Sequence, residues 1–231
     1  MNGPPRQSGR LAGWPSLPYV APFALLLLLL WLGPKLGVSP TAEAAIRVTL
    51  LTGLLFTLAR PVLSFRVARP AASLAVGAIV FVVWIGPDLL VPGWHAGSLF
   101  SNGIFGRFES TVPAGAVDSL GFLLLRTLRA VVLVPIIEEL FWRAWLPRWI
   151  DQPEDFRTRP PGAFSRVSFW LTAVLFASEH GALWDVGLLA GIAYNEWMRR
   201  TRSLGDLILA HATTNALLSA YVVGTGKWEY W

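Results

Sequence analysis

No cysteine occurs among the 231 residues. That excludes disulfides, a thiol nucleophile and any thiolate metal site, and the redox compartment cannot be read from cysteine usage. Charge is scarce too: 14% of residues are Asp, Glu, Lys or Arg, against 54% apolar and 12 tryptophans. A soluble domain of this size carries more charge, so the chain reads as a polytopic membrane protein. No hydrophilic stretch is long enough for a second domain. No basic block sits on a soluble core, so the formal net charge of +5 belongs to loops at an anionic membrane face, not to a nucleic-acid site. Also missing are a Gly-x-Ser-x-Gly elbow, His-Glu-x-x-His, dinucleotide fingerprints, phosphate loops, internal repeats and heptads.

What is present is a series of apolar segments. Residues 1–18, made of Pro, Gly, Ser and Arg with little periodicity, read as a disordered cytoplasmic tail. Residues 19–231 then form one transmembrane domain. Segments at about 18–36, 44–58, 71–91, 120–146, 167–183, 186–198 and 204–223 give seven spans, hence an all-α polytopic membrane helical bundle. The sixth covers about 13 residues, short of the roughly 20 a span needs. It must borrow from the preceding loop or be buried among its neighbours. For the first segment a signal peptide ending near Ala42-Glu43-Ala44 is the alternative, but that site lies well past the apolar core. Residues 92–117, rich in Gly and Ser with Trp94, Phe100, Phe105 and Phe108, read as re-entrant or interfacial, with an eighth crossing as the alternative. Placing the N-terminus in the cytoplasm puts 13 of the 19 Lys and Arg on the inner side, a strong positive-inside bias.

Ionisable groups at bilayer depth are expensive, and chains that keep them usually use them. Two adjacent carboxylates, Glu138 and Glu139, end the run Val131–Ile137. Pro135 cannot donate to the carbonyl four residues back, so a kink freeing the Val131 acceptor is expected. Glu139 and Arg143 are one turn apart and can pair. Glu138, about 100° round the helix, is left free to act. Two further spans carry polar groups at one-turn spacing: Phe176 with His180, and His211 with Asn215. Counted from the nearest cytoplasmic arginine, Glu138, His180 and His211 lie roughly 15, 21 and 13 Å into a core of about 30 Å. Each has a structural alternative. The glutamates could pair with Arg143 and with Arg126 or Arg129, His180 could satisfy a helix carbonyl, and His211 with Asn215 could bond neighbouring helices. Coincident depth in three spans favours a shared site. His95, in a loop, shows no partner pattern and reads as structural. Arg126 and Arg129 read as snorkelling outward or as paired with Glu179 or Asp185.

A carboxylate, two imidazoles and a carboxamide in a partly desolvated pocket suit hydrolysis through an activated water. Glu138 would be the base, His180 would orient the water, and His211 with Asn215 would donate to the oxyanion. The rival is a zinc enzyme with Glu138, His180 and His211 as ligands.

Glu138-Glu139-x-x-x-Arg143, Phe176-x-x-x-His180 and His211-x-x-x-Asn215, in this order, resemble the three motifs of the CPBP family of intramembrane proteases, which includes CAAX endopeptidases. The resemblance covers about residues 118–223, the expected catalytic core. Gly191-x-x-Tyr194, Arg199-Arg200-Thr201-x-Ser203-Leu204 and Gly224-Thr225-Gly226-Lys227-Trp228 further resemble the subgroup associated with exosortase systems. The resemblance implies a glutamate-type intramembrane endopeptidase of a bacterial inner membrane. Glu138, His180, His211 and Asn215 would be catalytic, supported by Glu139, Arg143 and Phe176. No cofactor is implied beyond the zinc alternative. Implied partners are membrane lipid, a membrane-associated peptide or protein substrate, and exosortase-system proteins; "CAAX" names kinship, not the substrate. Two other classes compete: a non-enzymatic membrane protein that binds an exported peptide or a sortase-like partner, and a proton or ion relay.

Overall fold

The computed structural model describes residues 13–231; the first twelve residues of the expected tail lie outside the described residues. Helices dominate, and there is no strand among the described residues. The expected spans correspond to seven helical rods: α1 (Leu17–Leu32), α2 (Pro40–Leu54, prolonged by a wider turn, Leu55–Ala59), α3 (Pro70–Leu90), α4 (Leu120–Asp151), α5 (Arg166–Ser178), α6 (Trp184–Thr201) and α7 (Leu204–Thr225). Of these, α1 to α4 and α7 are long and apolar enough to cross a membrane. The short sixth segment is resolved by burial: α6 turns Val186, Ala190, Tyr194 and Met198 inward against its neighbours. No helix crosses in the 91–118 segment, which holds turns and a single short helical turn at Ala116–Asp118, so the bundle has no eighth rod there.

The helix starts follow from local chemistry. Pro40 and Pro70 stand in the first turns of α2 and α3, where a missing N–H costs nothing. The Ser165 and Ser203 side chains accept from Ser168 N and Asp206 N at the starts of α5 and α7. Asp151, at the end of α4, accepts from Arg159, Ser165 and Ser168, joining α4 to the start of α5. Large apolar side chains such as Leu28, Ile79, Val82, Leu124 and Val174 face outward, while Glu139, Arg143, Thr172, Asn195 and Asp206 are fully buried. Apolar outside and polar within is what lipid as solvent requires.

The rod α7 packs most closely on α3, and Gly77 permits it. A Cβ there would strike the Ala210 carbonyl and stand 2.6 Å from Thr213 Cβ. The same approach lets Thr214 Oγ1 donate to the Gly77 carbonyl at 2.8 Å. Gly77→Ala should therefore cost about 1–3 kcal/mol by overpacking, read as a lower melting temperature in detergent. Gly86→Ala on the same helix, where an added Cβ meets nothing within 4 Å, should be neutral or slightly stabilising.

Candidate active site

The rod α4 is not a uniform helix. Wide turns at Arg129–Leu133 and Leu140–Trp145 flank the regular turn Val134–Glu139, and such widened turns gather at functional sites. In the first of them the N–H of Val134 bonds to Arg129 O, five residues back. The next donor in that register would be Pro135, which has no N–H, so the carbonyl of Ala130 lacks its intrahelical partner. Asn215 Nδ2 on α7 donates to that carbonyl at 2.8 Å. The sequence placed the freed acceptor on Val131; the widened turn moves the orphan to Ala130.

Glu139 and Arg143 are both fully buried and pair at 3.1 Å. Glu139 Oε1 also accepts from His211 Nδ1 at 2.7 Å. Arg143 Nε donates to Asn195 Oδ1 at 3.1 Å, and the Asn195 amide in turn donates to Phe169 O. The guanidinium carbon lies 4.1 Å from the centre of the Phe176 ring, a cation–π contact of the kind favoured for arginine. Glu139 is thus spent on two cations or donors, and Glu138 pairs with no arginine among the described residues.

His211 bridges the two glutamates, with Nδ1 on Glu139 and Nε2 4.0 Å from Glu138 Oε2. Its ring stacks on Tyr194 at 5.0 Å and 26°. The Tyr194 hydroxyl donates to Thr214 Oγ1 at 2.8 Å, and Thr214 continues to Gly77 O. His180 follows the end of α5, where Nδ1 donates to Phe176 O at 2.7 Å and the ring sits between Phe176 and Trp84. A carbonyl or carboxylate oxygen can only accept, so Nδ1 carries the hydrogen in both histidines. Neutral, each ring offers a lone pair at Nε2. His211 can donate from Nε2 only as imidazolium, with Glu139 as its counter-ion.

A single pocket of about 90 Å³ is lined by Glu138, His180, His211 and Asn215, with Trp84 and Tyr194 among its walls. The tertiary structure thus brings all four sequence-predicted residues together, with Phe176 in the same lining and Glu139 and Arg143 behind it. Sequence reasoning missed Trp84, Asn195 and Thr214 as neighbours. It met Tyr194 only as part of a subgroup pattern. Thr214, three residues after His211, was the available signal, because it shares a helix face with that histidine.

The pairing alternative for Arg126 and Arg129 is corrected, and His95, read as structural, has partners that no spacing showed. Glu179 accepts from Trp142 Nε1 at 2.9 Å, and Asp185 accepts from Trp94 Nε1 and from His95 Nε2 at 3.1 and 2.9 Å. Neither pairs with Arg126 or Arg129; Arg126 instead lies over the Trp231 ring at 5.0 Å. His95 is not partnerless. Fully buried, it sits between Asp88 and Asp185, and Asp88 also accepts from the Tyr230 hydroxyl at 2.8 Å. That cluster fastens the 91–118 loop and the C-terminal turn to α3 and α6. The pattern was invisible because Asp185 lies 90 residues from His95.

No group of three or more His, Cys, Asp or Glu side chains among the described residues is arranged to hold a metal ion. Both Nδ1 atoms are engaged, and Glu139 is turned to Arg143.

No match is found among the curated proteins or among the solved structures. Residues 120–217 do match a family model, described as type II CAAX prenyl endopeptidase Rce1-like. The matched segment contains Glu138, His180, His211 and Asn215. Together with the apolar helices, the match supports an integral membrane protein similar, over this segment, to peptidases of the CAAX type.

Proposed function

We propose that the protein is a glutamate-type intramembrane endopeptidase. It hydrolyses a peptide bond of a membrane-associated peptide or protein by a water that Glu138 activates. The observation that carries this reading is the convergence of Glu138, His180, His211 and Asn215, from two rods and a turn, on one small interior pocket. Glu138 takes a proton from water as its oxygen bonds to the scissile carbonyl carbon, and His180 Nε2 accepts the water's other hydrogen. His211, as imidazolium against Glu139, donates Nε2–H to the developing oxyanion. The Asn215 amide keeps one N–H beyond the bond to Ala130. Glu138 then passes its proton to the leaving amine as the C–N bond breaks. No step needs a metal. The tail patterns suggest a substrate linked to an exosortase system, with the basic loops and the N-terminus on the cytoplasmic side of a bacterial inner membrane.

The test is cleavage of a quenched-fluorophore library of membrane-inserting peptides by the protein in phospholipid vesicles. The wild type should cleave a subset. His180→Gln should slow that cleavage about a hundredfold or more with melting close to wild type. A wild type that cleaves no peptide but collapses a proton gradient would be a relay and not a peptidase.

A further inference from the structure

A second pocket, of about 370 Å³, lies at the end of the bundle where α6 turns into α7, and its lining includes Arg66, Arg148 and Arg202. None of the three has a carboxylate partner within 4.0 Å among the described residues. The acids around it are already committed: Asp151 to Arg159, Asp155 to Arg157, and Asp206 to Ala68 N, Arg69 N and Ser73 Oγ. Arg148 is 6% exposed and spends Nε on the Ala144 carbonyl, with its guanidinium near the Tyr19 and Phe156 rings. A buried cation without an anion is costly, and Arg148 is one; Arg66 and Arg202 are exposed and bring two further cations to the same pocket.

The cradle is fixed in advance. Ser203 Oγ donates to Arg66 O at 3.1 Å, and Gly205 lets the backbone at Phe65 and Arg66 lie directly on the first turn of α7. Ser64, Ser203 and the start of α7, a helix of 22 residues, face the same space, and a helix N-terminus adds partial positive charge. Arg202 is held left-handed at φ 52°, the one non-glycine with positive φ among the described residues. Such a conformation is retained at a cost in backbone energy.

The ligand's second half is written in the segment 61–66, which is extended at Leu63. Val62, Ser64 and Arg66 line the arginine pocket, while Pro61, Leu63 and Phe65 line an apolar groove of about 750 Å³ walled by Ile136 of α4. The cationic pocket and the apolar groove thus share this segment as a common border. We infer that Arg66, Arg148 and Arg202 form a site for a phosphate group, supplied by an anionic phospholipid whose acyl chain lies in the neighbouring groove.

Native mass spectrometry of the protein taken from phosphatidylcholine vesicles containing phosphatidylglycerol tests it. Wild type should retain phosphatidylglycerol over phosphatidylcholine. Arg66→Gln and Arg202→Gly should each weaken retention about tenfold. Glycine suits the left-handed backbone at 202, so that variant should melt no lower than wild type. Arg166→Gln, an exposed arginine at the same end that lines neither pocket, should change nothing. If inorganic phosphate alone raises the melting temperature of wild type but not of the two variants, with no lipid preference, the phosphate site stands and its source is soluble. Equal retention by wild type and both variants with no phosphate effect, or an equal loss in Arg166→Gln, overturns the site in favour of general basic-face attraction.

Discussion

Glu138→Gln should abolish peptide cleavage, lowering the rate at least about a hundredfold, while the protein inserts and melts like wild type. The amide keeps the size and planarity of the carboxylate but has no basic oxygen to take a proton from water. Little else depends on that charge. Glu138 makes no arginine pair, its side chain keeps 12% of its exposure, and its one charged neighbour at salt-bridge range is His211 Nε2 at 4.0 Å. The contrast is Glu139→Gln, one residue on. There the anion that faces both Arg143 and His211 Nδ1 is lost, so stability and activity should fall together. Measured side by side in vesicles, the two variants separate a chemical carboxylate from a structural one. Unchanged cleavage by Glu138→Gln would sink the mechanism and leave the membrane bundle standing.

The largest loss of stability is expected from Arg143→Met, on the order of 3–5 kcal/mol, seen as a melting temperature depressed far more than by any pocket substitution. Both partners of the pair are fully buried, and removing the guanidinium leaves Glu139 as a buried anion with only His211 beside it. Asn195 Oδ1 loses its donor, and the Phe176 ring loses the cation stacked on it. The double variant Glu139→Gln with Arg143→Met should recover part of the loss, because a hydrophobic and a neutral group no longer carry an unpaired charge. It should not recover activity, since His211 would lack the carboxylate that fixes its Nδ1 hydrogen. A double variant no more stable than Arg143→Met alone would place the cost in packing and not in charge.

Much of this arrangement was legible from one-turn spacings. Glu139 with Arg143, Phe176 with His180 and His211 with Asn215 are relations within single helices, and helix geometry fixes them wherever the helix goes. One relation of the same range was misread because the helix itself departs from 3.6 residues per turn: the widened turn before Pro135 moved the freed carbonyl from Val131 to Ala130. The His95–Asp185 bond, the Arg143–Asn195 bond and the Tyr194–Thr214–Gly77 chain join residues from 20 to 137 apart, and no periodicity encodes a partner on another rod.

By itself, then, the sequence determined a membrane bundle of seven rods and named four of the polar side chains that line the pocket. Apolar run length and charge scarcity are set by the bilayer, and an ionisable group at that depth announces itself. Only the tertiary structure decided which partners the rods lend each other: His211 on Glu139, Asn195 on Arg143, and Asn215 on the Ala130 carbonyl. Such partners depend on distances of a few ångströms between different helices. Those distances are settled by packing, through contacts such as Gly77 against α7, and not by any local preference of the chain.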